Sequence, residues 1–100
     1  MNYTELIQSA PVVVVEFFAT WCPHCQRMMP VVEQIRELVG NKAHIAQLDI
    51  DQNQDAANEA DVQSVPVFII YKNGREFWRQ SGEMGGEFLL SQIEKAMSRM

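Results

Sequence analysis

The chain has two cysteines, Cys22 and Cys25, which are separated by Pro23 and His24. They follow an apolar, β-branched segment and begin a helical pattern, in which Pro23 suits the first helical position. Cys22 would then lie at the helix N-terminus, where unpaired N–H groups and the helix dipole stabilise a thiolate. The thiolate is the attacking species in thiol–disulfide exchange, and Cys25, one turn further and partly buried, could resolve the mixed disulfide. This spacing after a buried strand therefore predicts a redox-active dithiol.

Two other interpretations of the cysteine pair stay open. The pair could be structural, although a disulfide across so short a loop would stabilise the chain by only about 2 kcal/mol. It could also be half of a zinc site, which needs four ligands. The chain offers only His24 and His44 as imidazole ligands, so a metal would have to be shared across a dimer. In the redox interpretation we expect no resident cofactor and no metal.

The composition limits the classes of protein to which this chain can belong. Its 100 residues, 47% hydrophobic and 21% charged, suit one small globular domain over residues 1–100. The formal net charge of −5 disfavours nucleic acid and anionic membranes as partners. No apolar run approaches the ~20 residues of a spanning helix, and the N-terminal segment lacks the cationic start of a secretory signal. We therefore expect a cytoplasmic protein, or a periplasmic one if a signal peptide has been removed.

Hydrophobic periodicity predicts an α/β order for the elements that position the cysteines. The segment 12–18 is apolar on both alternating faces except at Glu16, which is typical of a strand covered by helices on each side. The aromatic side chains of Phe77, Trp78 and Phe88 are expected in the core. The other expected elements are helices over 2–9, 23–39 (with Pro30 inside), 56–59 and 87–98, and strands over 43–50, 65–71 and 75–80, with an Asn73-Gly74 hairpin turn before the last strand.

The chain resembles the thioredoxin family along nearly its full length. Several matches occur in the right order, which is hard to obtain by chance. They are Val14–Cys25 (Val-Val-Glu-Phe-Phe-Ala-Thr-Trp-Cys-Pro-His-Cys), Pro30, Leu48–Asp51 (Leu-Asp-Ile-Asp), Ser64–Val67 (Ser-Val-Pro-Val), Tyr71–Gly74 (Tyr-Lys-Asn-Gly) and Gly82. The resemblance implies a thioredoxin fold, a three-layer α/β/α sandwich. The chain has no residues for the strand that usually precedes the first helix, so we expect a mixed four-stranded sheet lacking the usual first strand.

The resemblance also implies roles for the residues around the cysteines. Cys22 would be the nucleophile, Cys25 the resolving cysteine and Glu16 the buried acid that relays the proton of Cys25. A buried carboxylate without a partner is costly, so Glu16 should be neutral or paired. Gln47 stands where thioredoxins often have a lysine near that acid, and without the cation burial should raise the pKa of Glu16 toward the range of a general base. A plain buried acid is the alternative for Glu16.

A flat apolar patch for docking partner proteins is the second feature that the resemblance implies. Its residues would be Trp21, Val65, Pro66 and Gly82. The Val65-Pro66 peptide bond looks like the family's cis-proline bond, which lies beside the disulfide and binds substrate backbone. Trp21 could instead be a packing aromatic.

The residues between the cysteines depart from the thioredoxin pattern. Pro23 and His24 stand where thioredoxins carry Gly-Pro, and the Cys-Pro-His-Cys centre is similar to those of more oxidising members of the superfamily. The His24 imidazole could place positive charge near the Cys22 thiolate and so stabilise the reduced form. We therefore predict a couple less reducing than that of an ordinary thioredoxin, unless His24 is merely an exposed turn residue.

The sequence is compatible with three classes of function. The leading one is a protein disulfide oxidoreductase, acting as a thioredoxin-like reductant on disulfide- or dithiol-containing proteins together with a thioredoxin-reductase-type flavoprotein. A disulfide oxidant or isomerase in an oxidising compartment is the second. A non-enzymatic partner-binding module, or a dimeric metal site, is the third. The leading function needs no second copy, and we expect a monomer.

Overall fold

A mixed four-stranded sheet lies at the centre of the computed structural model, which describes residues 1–98. The strand order is β2-β1-β3-β4, with β1 parallel to β2 and antiparallel to β3, and with β3 antiparallel to β4. This arrangement confirms the predicted fold class. In chain order the elements are α1 (Tyr3–Ile7), β1 (Val12–Phe18), α2 (Pro23–Val39), a 3₁₀ turn (Gly40–Lys42), β2 (His44–Asp49), α3 (Gln54–Glu59), β3 (Val67–Lys72), β4 (Arg75–Ser81) and α4 (Gly86–Met97).

Strand β1 is buried on both faces because helices cover each side of the sheet. Val12 and Val14 pack on the side of α2 and α4, among residues that include Ile35 and Ile93. The residues of β1 that point to the opposite face of the sheet pack on the side of α1 and α3, with Tyr3 and Ala60. The continuous apolar run in the sequence therefore corresponds to a strand inside a three-layer sandwich.

Helix α2 begins and ends where the sequence predicts. Cys22 is its N-cap, Pro23 is its first residue, and it continues through Pro30 to Val39. Gly40 follows with a positive φ of 56°, a conformation that favours glycine at the end of a helix. Within residues 1–98, no helix combines the length and apolar character needed to cross a bilayer.

The start of the third strand differs from the prediction. The strand was expected over 65–71 but begins at Val67, because Pro66 has no backbone N–H to donate to a ladder. The Val65-Pro66 bond is cis, as the resemblance implied. The hairpin turn is confirmed: Asn73 and Gly74 both have positive φ, at 53° and 80°, as a type I′ turn requires.

The expectation of three core aromatics is wrong for two of them. Phe77 is 41% exposed and Phe88 is 43% exposed, whereas Trp78 packs partly buried against the core. Phe77 lies on β4, an edge strand with a neighbouring strand on one side only. Phe88 lies in the first turn of α4 and contacts the Trp78 ring edge-on, with the centroids 6.0 Å apart.

Candidate active site

The turn between β1 and α2 places the two cysteines at the start of the helix. Cys22 Sγ accepts a hydrogen bond from the backbone N–H of Cys25 at 3.2 Å, so the sulfur itself caps α2. Cys22 Sγ also lies 3.8 Å from the carbonyl oxygen of Val65. Both cysteines are free thiols in this structure. An N–H group aimed at the sulfur stabilises negative charge there, which is what a nucleophilic thiolate needs.

The two thiols differ in their access to solvent. Cys22 is 4% exposed, whereas Cys25 is completely buried with Ala19 beside it. The expectation that Cys25 is partly buried is therefore wrong, because the first turn of α2 carries it into the interior. Burial raises the pKa of Cys25 to about 12, and its hydrogen bond with Cys22 and the charge of Glu16 act in the same direction. Cys25 can attack a disulfide only if a nearby group takes its proton.

Glu16 is a completely buried acid on β1. It lies opposite Gln47 of β2 in the parallel register, and Gln47 Nε2 donates a hydrogen bond to its Oε1 at 2.9 Å. Its other oxygen, Oε2, is buried with no hydrogen-bond partner among residues 1–98. Burial raises the pKa of Glu16 to about 7, although the bond from Gln47 and the charge of Arg36 partly oppose this. The predicted direction of the shift is confirmed, and the value suits proton uptake near neutral pH.

The expectation that Glu16 has no nearby cation is wrong. Arg36 of α2 donates from Nη2 to Gln47 Oε1 at 2.8 Å and from Nη1 to the carbonyl oxygen of Ile45 at 2.7 Å. The positive charge thus reaches the acid through a neutral amide. Position 47 alone could not reveal this, because the arginine is on a different element, 11 residues earlier. The one indication of this contact in the sequence was that Arg36 directly follows Ile35, whose side chain is buried on α2.

His24 is exposed in the first turn of α2 and interacts with an acid from another loop. Its Nδ1 lies 2.5 Å from Glu83 Oε1 and 2.9 Å from Arg27 Nη2. Arg27 also donates to Glu83 Oε1, from Nε at 2.9 Å and Nη2 at 2.7 Å. These bonds hold the pKa of Glu83 at about 2. The His24 ring thus contacts the same carboxylate oxygen that pairs with Arg27. Neither Arg27 nor Glu83 was among the predicted site residues.

Of the four predicted docking residues, Val65 contacts the Cys22 sulfur, Trp21 precedes Cys22 in the chain, and Gly82 bonds to the residue that follows Val65. Trp21 is 65% exposed, with its indole Nε1 donating to Asp51 Oδ2 at 3.0 Å. Val65 is half-buried and presents its carbonyl to Cys22. Gly82 is half-buried and donates its N–H to the carbonyl of Pro66 at 2.8 Å.

Pro66 differs from the expectation because its side chain is fully buried. It therefore adds no apolar surface to the predicted docking patch. The peptide backbone around it is what faces the cysteines, through the Val65 carbonyl. Within residues 1–98, no group of three or more His, Cys, Asp or Glu side chains is placed to hold a metal ion.

Comparisons with known proteins agree with this geometry. The family model described as Thioredoxin matches residues 1–97. Thioredoxin Y of rice chloroplasts is 35% identical over 97 residues, which cover 96% of this chain and 58% of the rice protein. Thioredoxin of Staphylococcus saprophyticus is 37% identical over 94 residues, which cover 94% of this chain and 89% of that protein.

One relative and one solved structure extend the comparison. A bifunctional thioredoxin reductase/thioredoxin of Mycobacterium leprae is 32% identical over 98 residues, covering 98% of this chain and 21% of that protein. The solved structure of a point-mutant thioredoxin from Halobacterium salinarum superimposes with a TM-score of 0.87 at 29% identity, over 97% of this chain and 84% of that chain.

The fold and the dithiol at the helix N-terminus define a protein thiol–disulfide oxidoreductase. Its redox centre is the Cys22–Cys25 pair, which the sequence spacing predicted. The chain belongs to the thioredoxin family.

Proposed function

We propose that this chain reduces disulfides in partner proteins through Cys22 and Cys25. The Cys22 thiolate attacks one sulfur of the partner disulfide, which forms a mixed disulfide and releases one partner thiolate. Cys25 then attacks Cys22 Sγ, which forms the Cys22–Cys25 disulfide and releases the second partner thiolate. The protein loses two electrons, the partner gains them, and both partner thiolates end as thiols by taking up protons.

Glu16 takes the proton that Cys25 must lose before the second step. Two observations support this role. The acid is buried on the same side of the sheet as α2, and its charge acts on the pKa of Cys25. Its own pKa of about 7 lets it accept a proton at neutral pH and return it to the departing thiolate.

The partner docks over Cys22, with the exposed Trp21 ring as an apolar contact and Gly82 beside the Val65-Pro66 backbone. Once Cys22 is a thiolate, it no longer donates to the Val65 carbonyl, which can then accept from a partner's backbone N–H. The oxidised protein returns to the dithiol by exchange with a reductase flavoprotein. The M. leprae relative, whose name joins a thioredoxin reductase to a thioredoxin, supports this partner. One chain holds every residue of this scheme, so we propose that it works as a monomer.

The observation that carries the proposal is a capping Cys22 sulfur beside a buried Cys25. The test is to mix the Cys25→Ser protein with insulin and to look for a stable mixed disulfide by non-reducing mass spectrometry. The bond should form at Cys22 and persist until a reductant is added. The Cys22→Ser protein is the matched control and should form no adduct. Turnover of insulin by either variant at the parent's rate would refute the proposal and favour a non-enzymatic module.

The direction of electron flow is tested by equilibrating the protein with reduced and oxidised glutathione. A reduction potential of the Cys22–Cys25 couple well below that of glutathione supports a reductant, because the dithiol then gives up electrons readily. A couple above it would refute the reductant proposal and support an oxidant or isomerase. The Cys-Pro-His-Cys centre is the observation that favours this second function.

Docking is tested by Trp21→Ala, which removes the exposed ring beside Cys22. The second-order rate for insulin reduction should fall about ten-fold, as for an aromatic anchor at an interface. Leu38→Ala is the matched control, because Leu38 is also strongly exposed, at 70%, but lies near the far end of α2. Equal effects of the two substitutions would refute the proposed docking surface.

A further inference from the structure

The amide of Gln47 has a fixed orientation between a cation and the buried acid. Its oxygen accepts from Arg36 Nη2 at 2.8 Å, and its NH₂ group donates to Glu16 Oε1 at 2.9 Å. A side-chain amide has one oxygen and one NH₂ group, and a guanidinium can only donate. The arginine therefore determines which end of the amide faces Glu16.

Arg36 is itself held in place at three points. Nη1 donates to the Ile45 carbonyl at 2.7 Å, Nη2 donates to Gln47, and Nε lies 3.2 Å from Glu33 Oε1 one turn earlier on α2. The first two bonds cross from α2 to β2, the strand that neighbours the acid's own strand. A planar guanidinium can make such a fork, whereas a lysine ammonium cannot reproduce it.

We propose that Arg36, acting through Gln47, is a positioning residue that holds Glu16 by Oε1 and leaves Oε2 as the oxygen that exchanges a proton with Cys25. This inference rests on the proposed role of Glu16 as the proton acceptor. In the resolving step the Cys25 S–H bond breaks, its proton moves to Glu16 Oε2, and the thiolate attacks Cys22. Gln47 donates to Oε1 before and after this transfer, so the carboxyl does not need to turn.

The surroundings of Glu16 contain few other groups that could take this role. On α2 the ionisable groups acting with it are Arg36 and Cys25. Strand β2 presents the neutral Gln47, and strand β3 presents Phe68 in register. Helix α4 packs on this side of the sheet with the apolar residues Leu89, Ile93 and Ala96. Within residues 1–98, Arg36 is therefore the cation whose charge opposes the effect of burial on Glu16.

The test is the pH dependence of the resolving step, measured by stopped flow with an aromatic disulfide that releases coloured thionitrobenzoate. The second release does not depend on the concentration of the reagent, because it reports attack by Cys25 within the molecule. In the parent its rate should rise with pH through a midpoint of about 7, where Glu16 loses its proton. Arg36→Gln should move this midpoint upward by about one pH unit, as expected for loss of a charge-assisted contact. Below the midpoint the rate should fall about ten-fold.

A second variant removes the amide and keeps the arginine. Gln47→Met keeps a side chain of similar length without a donor, and should also move the midpoint upward. Gln47→Lys in the Arg36→Gln protein places an ammonium beside Glu16 and should restore the parent midpoint or lower it. Arg79→Gln is the matched control, because Arg79 also pairs with a glutamate three residues earlier, Glu76, but on β4. Its profile should superimpose on that of the parent.

The outcomes separate this inference from the role on which it rests. Glu16→Gln should abolish the rise of the resolving rate near pH 7, which we call the limb. Arg36→Gln added to this variant should then have no further effect on the rate profile. If Glu16→Gln abolishes the limb but Arg36→Gln and Gln47→Met leave its midpoint unchanged, Glu16 keeps its role and the positioning inference is overturned. If Glu16→Gln leaves the limb intact, the proton-acceptor role is itself refuted, and the inference with it.

Discussion

Replacing Glu16 with glutamine should stabilise the protein, and only at neutral and alkaline pH. Burial raises the pKa of Glu16 from 4.5 to about 7 in the folded protein. The folded state therefore binds a proton more tightly than the unfolded chain between these values, and the free energy of unfolding falls as pH rises through this window. A shift of this size at about 1.4 kcal/mol per pKa unit corresponds to about 3 kcal/mol, fully lost above the folded-state pKa.

Glutamine is a close match for the protonated acid. Its carbonyl oxygen can still accept from Gln47, and its NH₂ group occupies the place of the unpaired Oε2. Below about pH 4 the free energies of unfolding of the variant and the parent should therefore agree within about 1 kcal/mol, as expected for a near-isosteric change. At about pH 8 the variant should be more stable by about 3 kcal/mol, which for a urea m-value of ~1.5 kcal/mol per M raises the denaturation midpoint by about 2 M.

The assay is urea denaturation of both proteins with the cysteines reduced, at several pH values from about 4 to about 8. The difference between the two proteins is the useful quantity, since other carboxyl groups such as Glu83 titrate alike in both. Glu94→Gln, at an exposed position on α4, is the control and should show no pH-dependent difference. A difference that does not change with pH, or a Glu16→Gln protein less stable than the parent at alkaline pH, would refute the conclusion that burial raises the pKa of Glu16.

Two further predictions concern the other polar clusters. Replacing His24 with proline should make the couple more reducing, because it removes an imidazole that can place positive charge near Cys22. Glu83→Gln should make it less reducing, because it removes the anion that pairs with His24 and Arg27. Each change should be about two-fold in the equilibrium constant with glutathione, as expected for exposed charges. Tyr3→Phe or Tyr71→Phe should cost about 1–3 kcal/mol in urea denaturation, because the hydroxyls bond at 2.7 Å in the interior and each single change leaves one unpaired. The double variant should be more stable than either single one, and a parallel loss in all three would contradict this account.

The sequence predicted the elements and the dithiol well, because both depend on local patterns. Strand β1 shows its burial by its apolar residues on both faces, and its predicted bounds are the observed ones. The start of α2 is determined by Cys22 and Pro23, whose N-cap and first-turn preferences are intrinsic to the residues. The family resemblance added the cis bond at Val65-Pro66, which no local pattern of apolar residues would indicate.

The partners of charged side chains could not be predicted in the same way. His24 was expected to act on Cys22, but its ring contacts Glu83, which is 59 residues away in the chain. Gln47 was expected to leave Glu16 without a cation, but Arg36 reaches it across the gap between α2 and β2. Both contacts depend on how two elements pack, and a single sequence specifies such packing only through the whole fold.

Helix α2 carries Arg27 and Arg36 on opposite sides, so their charges act on different residues. Arg27 and Arg36 are nine residues apart, which at about 100° per residue puts them about half a turn from each other. Arg27 lies at the solvent end with Glu83, where its charge acts on Cys22. Arg36 faces β2, where its charge acts on Glu16. In the proposed mechanism, Arg27 is thus the cation that acts on Cys22 and Arg36 the cation that acts on Glu16, and one helix holds both.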